Sequence, residues 1–173
     1  METNSPFSRP SAVAEGEQSA MISDVRLVHA DFDAAHELQR FTMRQDAGGI
    51  VSFLGKVRAE GGDDAVLALE LRHYAPLTLS GMEMLALRAQ RHWTLTGLLI
   101  IHREGVMHPG DPIVLVACGA RHRRDAFEAC DFLMDHLKSE SWFWKREKTA
   151  HGWHWVDPRD QDREDLSRWA HVA

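Results

Sequence analysis

Lys138 and the run Ser141-Trp142-Phe143-Trp144-Lys145-Arg146-Glu147-Lys148 set cations among large aromatics near the end of the chain. The chain as a whole carries a formal net charge of -6, so this stretch reads as a pocket for an anionic ligand rather than casual surface. An aromatic-lined lysine loses hydration, which makes its amine available as base or nucleophile. In an extended segment Lys145 and Glu147 point the same way, alternating with Trp144 and Arg146. The bland alternative is a snorkelling surface lysine. A second cationic cluster, Arg121-His122-Arg123-Arg124, stands where a strand turns into a helix. Free N–H groups and a positive dipole make a helix start an anion site. Guanidinium forks fit phosphate, and histidine adds a titratable donor. Cations there oppose the dipole, and such local costs concentrate at functional sites. The two clusters together predict a site for a phosphorylated or carboxylated substrate.

Other signals are weaker. Phe53-Leu54-Gly55-Lys56-Val57-Arg58 ends a strand and enters a glycine-rich loop, where Arg58 can reach a ligand or serve as ordinary edge charge. His151 and His154 lie three apart without an evident third ligand, and no metal site is expected. Cys118 falls in an apolar strand and Cys130 on an apolar helix face, so both read as core rather than nucleophile.

These residues need elements to hold them. Val25 to Val28 reads as a strand. Asp31 caps a helix to about Met43, with Ala34, Ala35, Leu38, Phe41 and Thr42 on one face. Gly48-Gly49 breaks it, and Ile50 to Leu54 is a strand. A turn at Gly61 to Asp64 leads to a strand over Ala65–Tyr74, with Val66, Leu67, Leu69 and Leu71 as its apolar members. A helix from Pro76 and Thr78 to about Trp93 carries Met82, Leu85, Leu87 and Ala89. Leu98 to His102 and Ile113 to Cys118 are strands around the turn Pro109 to Pro112. The clearest helix runs from about His122 to Lys138 or Glu140, with Ala126, Phe127, Cys130, Leu133, Met134 and Leu137 recurring at three- and four-residue spacing. Short strands, Trp142–Lys148 and Trp153–Val156, surround Gly152, and a short solvent-facing helix follows Asp157. Helices and strands alternate without strict βαβ repetition, so the expected class is α+β, a mixed sheet with packed helices.

The 173 residues suffice for one domain. Residues 1 to about 22, rich in Ser, Pro, Ala and Glu, predict a disordered tail before a single domain over 23–173. No apolar run matches a membrane span, no secretory signal is evident, and a cytoplasmic, reduced protein is expected. The acidic balance argues against a general nucleic-acid binder.

Four blocks in order resemble the large, catalytic subunit of molybdopterin synthase. They are Gly49 to Arg58; Ile101-His102-Arg103-Glu104-Gly105 with Pro109-Gly110-Asp111; Arg121-His122-Arg123 leading into Ala126-Phe127-Glu128-Ala129; and Met134-Asp135 through Lys138 to Phe143-Trp144-Lys145-Arg146-Glu147. The resemblance covers about residues 22 to 160. It implies the α/β-hammerhead fold and conversion of cyclic pyranopterin monophosphate to molybdopterin, in molybdenum cofactor biosynthesis. Two dithiolene sulfurs arrive as the thiocarboxylate on the C-terminal Gly-Gly of a small ubiquitin-like subunit, with no bound cofactor. The resemblance makes Lys138 and Lys145 catalytic. Lys138 either positions the thiocarboxylate or assists proton transfer; Lys145 either stabilises charge on the pterin or acts as acid/base. Lys56, Val57, Arg58, His122, Arg123, Arg146 and Glu147 join the two lysines in contacting substrate, with Arg58, His122 and Arg123 on its phosphate. Phe53, Met134 and Arg159 shape the pocket, which should be cationic.

His122 and Lys138 lie sixteen residues apart on one expected helix, roughly 24 Å at 1.5 Å per residue. A small substrate cannot readily touch both, so a homodimer with composite sites is expected, within a heterotetramer of two large and two small subunits. Two features depart from the family pattern: the acidic loop Ala59 to Asp64, and Arg72 where relatives often carry an acid. The rival readings are a non-catalytic docking module for a ubiquitin-like protein and an RNA binder using Arg121 to Arg124 with the tryptophans.

Overall fold

A computed structural model describes residues 21–59, 65–139, 142–158 and 160–172. The expected turn at Gly61–Asp64, the expected tail before Met21, and Arg159 lie outside the described residues. In order, the elements are β1 (Ile22–Val28), α1 (Ala34–Met43), β2 (Gly49–Lys56), β3 (Ala68–His73), α2 (Ala75–His92), β4 (Leu95–Arg103), β5 (Gly105–Met107), β6 (Pro112–Ala120), α3 (Arg123–Ser139), β7 (Phe143–Thr149), β8 (Gly152–Val156) and α4 (Asp160–Ser167). The class is α+β, as expected, but with two four-stranded sheets instead of one. Sheet A has the order β1-β4-β6-β2 and sheet B the order β5-β3-β7-β8.

Sheet A is mixed. β1 runs parallel to β4, and the other pairs are antiparallel. Its two central strands are apolar on both faces because both faces are covered. Leu98, Ile100, Val114, Val116 and Cys118 pack with α2 and α3 through Met82, Leu85, Ala129 and Leu133. The alternate residues Leu99, Ile101, Leu115 and Ala117 pack under α1 on Phe41. α1 is capped by Asp33, whose carboxylate accepts from the N–H groups of Ala35 and His36 at 3.0 Å. Asp31, the expected cap, accepts instead from Arg103 Nη1 at 3.1 Å. Ala35 and Thr42 face solvent, so the buried stripe is narrower than the spacing predicts.

Gly105, at φ +87°, bends the chain from sheet A into sheet B, with only Glu104 between it and the end of β4. A side chain there would be strained in this left-handed conformation and would meet the His29 ring at 2.8 Å. The three-residue β5 that it opens was not expected from the sequence. Sheet B covers a smaller core of Val57, Val66, Leu69, Leu71 and Met107. Leu67, expected among the apolar members of β3, is exposed. Two ties fix the start of β7 to α2: Thr78 Oγ1 donates to Trp142 O at 3.1 Å, and Gly81 lies under the Trp142 indole, where a Cβ would meet the ring at 2.6 Å.

α4 has no buried residue, matching the solvent-facing helix expected. The segment after it does dock. Trp169 packs edge-on to Trp93 and Phe132, with ring centroids 5.9 and 5.5 Å away. Val172 is buried, and its carbonyl accepts from Arg88 at 3.2 Å. No described helix is long and apolar enough to cross a membrane.

Candidate active site

α3 carries one cationic motif at each end. Its start lies against the turn into β2, because Gly48 and Gly49 let backbone approach backbone; a Cβ on Gly48 would meet Arg121 O at 2.3 Å. His122 and Arg123 are exposed there. Lys138 stands at the other end of the same unbroken helix. The structure therefore does not bring His122 and Lys138 together within one chain.

A cleft of about 480 Å³ runs along α3 from Arg124 to Ser139. The helix presents Phe127, Asp131, Met134, Asp135 and Lys138 to it, a repeat of three and four residues. Val51, Ser52 and Phe53 of β2 form the facing wall, and Asp162 and Asp165 of α4 close one side. Phe53, Met134 and Lys138 thus line one cavity. Phe127 had the spacing of a core residue, yet it is exposed and lines this cleft. Cys130 is buried and reaches the cleft wall, with Cys118 beneath it. The thiols hydrogen-bond to each other; that bond, with burial, raises Cys118, and it lowers Cys130.

The cleft is not the cationic pocket expected. It has two cations, Arg124 and Lys138, against Glu128, Asp131, Asp135, Asp162 and Asp165. α4 contributes two of these acids, and it comes from a distant part of the chain. Arg168, just after α4, offsets part of this charge by pairing with Asp135 at 2.5 Å and Asp131 at 3.3 Å. The Trp169 indole N–H donates to the same Asp135 at 2.7 Å.

Lys145 occupies the middle of β7. Its Nζ is 2.6 Å from Glu147 Oε1, so the two do share a face. Their cross-strand neighbours on β3 are Leu71 and Leu69, members of the small core that also holds Val57. Val57 is buried, and its N–H donates to Asp111 O at 3.0 Å; it sits between exposed Lys56, the last residue of β2, and exposed Arg58. The Val57 side chain therefore packs into the small core, between two exposed cations. Phe143 stacks on buried His102 at 4.1 Å, and burial pushes that imidazole down to about 4.

Arg146 alternates to the outer face, and the structure does not place it with Lys145. It pairs with Glu70 and lies over the rings of Trp153 and Trp155 at 4.5 and 5.7 Å. Burial pushes the Glu70 carboxyl up, but the hydrogen bonds from Arg146 and Arg72 outweigh it and hold the group below its ordinary range. Arg72, the departure noted in the sequence, therefore has a local role, with Nε 3.2 Å from Glu70 Oε1. Among the described residues no group of three or more His, Cys, Asp or Glu could hold a metal.

The sequence profile of the family described as MoaE protein matches residues 27–140. This chain belongs to the MoaE family. A molybdopterin synthase catalytic subunit from Ralstonia nicotianae is 42% identical over 150 residues, 86% of this chain and 85% of that one. The solved molybdopterin biosynthesis MoaE protein from Burkholderia ambifaria superposes with a TM-score of 0.71 at 40% identity, covering 86% and 98% of the two chains. The MoaE fold also recurs, at 17% identity and a TM-score of 0.67, in a protein–protein complex of subunits 1 and 2 of molybdopterin-converting factor from Helicobacter pylori, covering 78% and 91%.

Proposed function

We propose that this chain is the catalytic subunit of a molybdopterin synthase, a sulfurtransferase. It takes sulfur from the C-terminal thiocarboxylate of a small ubiquitin-like partner and places two dithiolene sulfurs on cyclic pyranopterin monophosphate. Membership of the MoaE family and the names of its relatives support the reaction class. The observation that carries the assignment of parts is the cleft along α3, long enough for an extended tail and ending at Lys138.

In this reading the partner's Gly-Gly tail lies between Val51–Phe53 and the Phe127–Met134 face of α3. Lys138 meets the thiocarboxylate, either holding it or assisting proton transfer. Lys145, with Glu147 beside it, stabilises negative charge on the pterin or exchanges a proton with it. Lys56, at the end of β2, and Arg58, just beyond it, come next to this face. The separation along α3 makes His122 and Arg123 the contribution of a second copy, with phosphate as their ligand. The assembly is a homodimer within a heterotetramer. Arg159 remains a pocket residue by resemblance.

A single-turnover assay tests this. Cyclic pyranopterin monophosphate and a thiocarboxylated small subunit are supplied, and the pterin product is followed by mass. Two-sulfur product from wild type and none from Lys138→Ala is the expected result. Equal product from both removes Lys138 from the chemistry. A stable complex without product from wild type points to the docking-module alternative.

A further inference from the structure

Glu147 has two carboxylate oxygens and is four-fifths buried, with a side-chain exposure of 20%. Oε1 is taken by Lys145. The residues in register with Lys145 and Glu147 on the flanking strands are Leu71 and Leu69 on β3, and Val156 and His154 on β8. Three of these are apolar. His154 alone offers a polar atom, and it stands directly opposite Glu147 with Nε2 3.9 Å from Oε2. That is longer than a hydrogen bond and within ion-pair reach, so a small side-chain adjustment closes it. A carboxylate held at one oxygen can rotate; held at both, it presents a fixed edge to the lysine.

We propose that His154 is a positioning residue for the sulfur-transfer reaction, fixing the Glu147 carboxylate so that it holds Lys145 toward the substrate. The role rests on the functional reading above, because it acts through Lys145. His154 touches no reacting atom. Its contribution is to keep the lysine amine in one place, which lowers the cost of orienting it in the transition state. A histidine at the outermost strand of the sheet thereby joins the site.

Three forms of the full chain, wild type, His154→Ala and His154→Gln, are compared in the single-turnover assay with saturating thiocarboxylated partner. Loss of the contact that, once closed, is one hydrogen bond to a charged group predicts a rate about tenfold lower for His154→Ala, with KM for the pterin and the melting temperature unchanged. His154→Gln, whose amide nitrogen can reach the same oxygen, restores most of the rate. An equal rate in all three forms overturns the proposal, and so does a loss in both variants that tracks a lower melting temperature. A second readout needs no turnover. Competitive labelling of lysines with an amine-directed reagent, mapped by mass, should show Lys145 about threefold more reactive in His154→Ala, the scale of a part-exposed ion pair. Lys56 serves as the internal reference. Unchanged Lys145 reactivity overturns the proposal even if the wild type makes no product, whereas an inactive wild type with altered labelling overturns only the assigned reaction.

Discussion

Lys145 and Arg146 are neighbours in sequence but belong to opposite faces of sheet B, one paired with Glu147 and the other with Glu70. The pleat divides a continuous basic motif into a site half and a scaffold half. Substitution should separate them. Lys145→Met is expected to lower single-turnover rate by roughly 100-fold or more with urea stability close to wild type. Arg146→Met leaves Glu70 short of a partner and uncovers Trp153, and is expected to cost about 2 kcal/mol in urea unfolding while turnover persists. The opposite pattern would falsify the division.

The length of α3 yields a prediction about assembly. His122→Ala and Lys138→Ala chains should each be inactive alone. If each site takes Lys138 from one chain and His122 from the other, half the dimers in an equal mixture are mixed, and each of those has one intact site. About a quarter of wild-type activity should return. Verified mixed dimers with no activity count against shared sites.

Acid should find the fold's weak point at His102. An exposed histidine titrates near 6.5, and burial takes His102 to about 4. Above 6.5 neither the folded nor the unfolded form is protonated, so this residue adds no pH dependence. As pH falls from 6.5 to about 4, the unfolded chain takes up the proton first and stability drops, by about 3 kcal/mol in total. His102→Phe keeps a ring against Phe143 and removes the titration. Its unfolding free energy should change less across that range than the wild type's; parallel curves would assign the acid sensitivity elsewhere.

Asp162 and Asp165 of α4 line the Lys138 cleft, and the segment just after α4 ties that helix to the rest of the fold. Trp169→Ala removes its ring contacts with Trp93 and Phe132 and its bond to Asp135. The expected cost is about 3 kcal/mol, the lower end for truncating a packed tryptophan. Limited proteolysis should then cut within α4 before any other described element. Retained resistance there would show that Arg168 and Val172 suffice.

The helix that carries Lys138 was legible because Ala126, Cys130, Leu133, Met134 and Leu137 repeat with its period, and local periodicity survives any tertiary arrangement. The shared face of Lys145 and Glu147 was legible for the same reason at period two. What failed was long-range. Nothing near Arg146 announces Glu70, 76 residues away. Phe127 has core spacing, but it is exposed and lines the cleft between α3 and β2. The acidity of the cleft depends on α4, whose sequence reads only as a charged surface helix. Trp169 and Val172 look isolated in that polar stretch, so their burial had no local signal. Asp31 and Asp33 both precede an apolar stripe, and only backbone geometry decides between them. β5 is too short for alternation to register.

β8 lies at the margin of sheet B, and its residue opposite Glu147 is half-exposed. Lys145, held between two strands, has little room to vary. The chain thus divides the labour of adaptation. On the proposed roles, reactivity is anchored where mutation is costly, and its adjustment is left where mutation is cheap. Exchanging that one peripheral side chain would then retune the lysine with no need to rebuild the core beneath it.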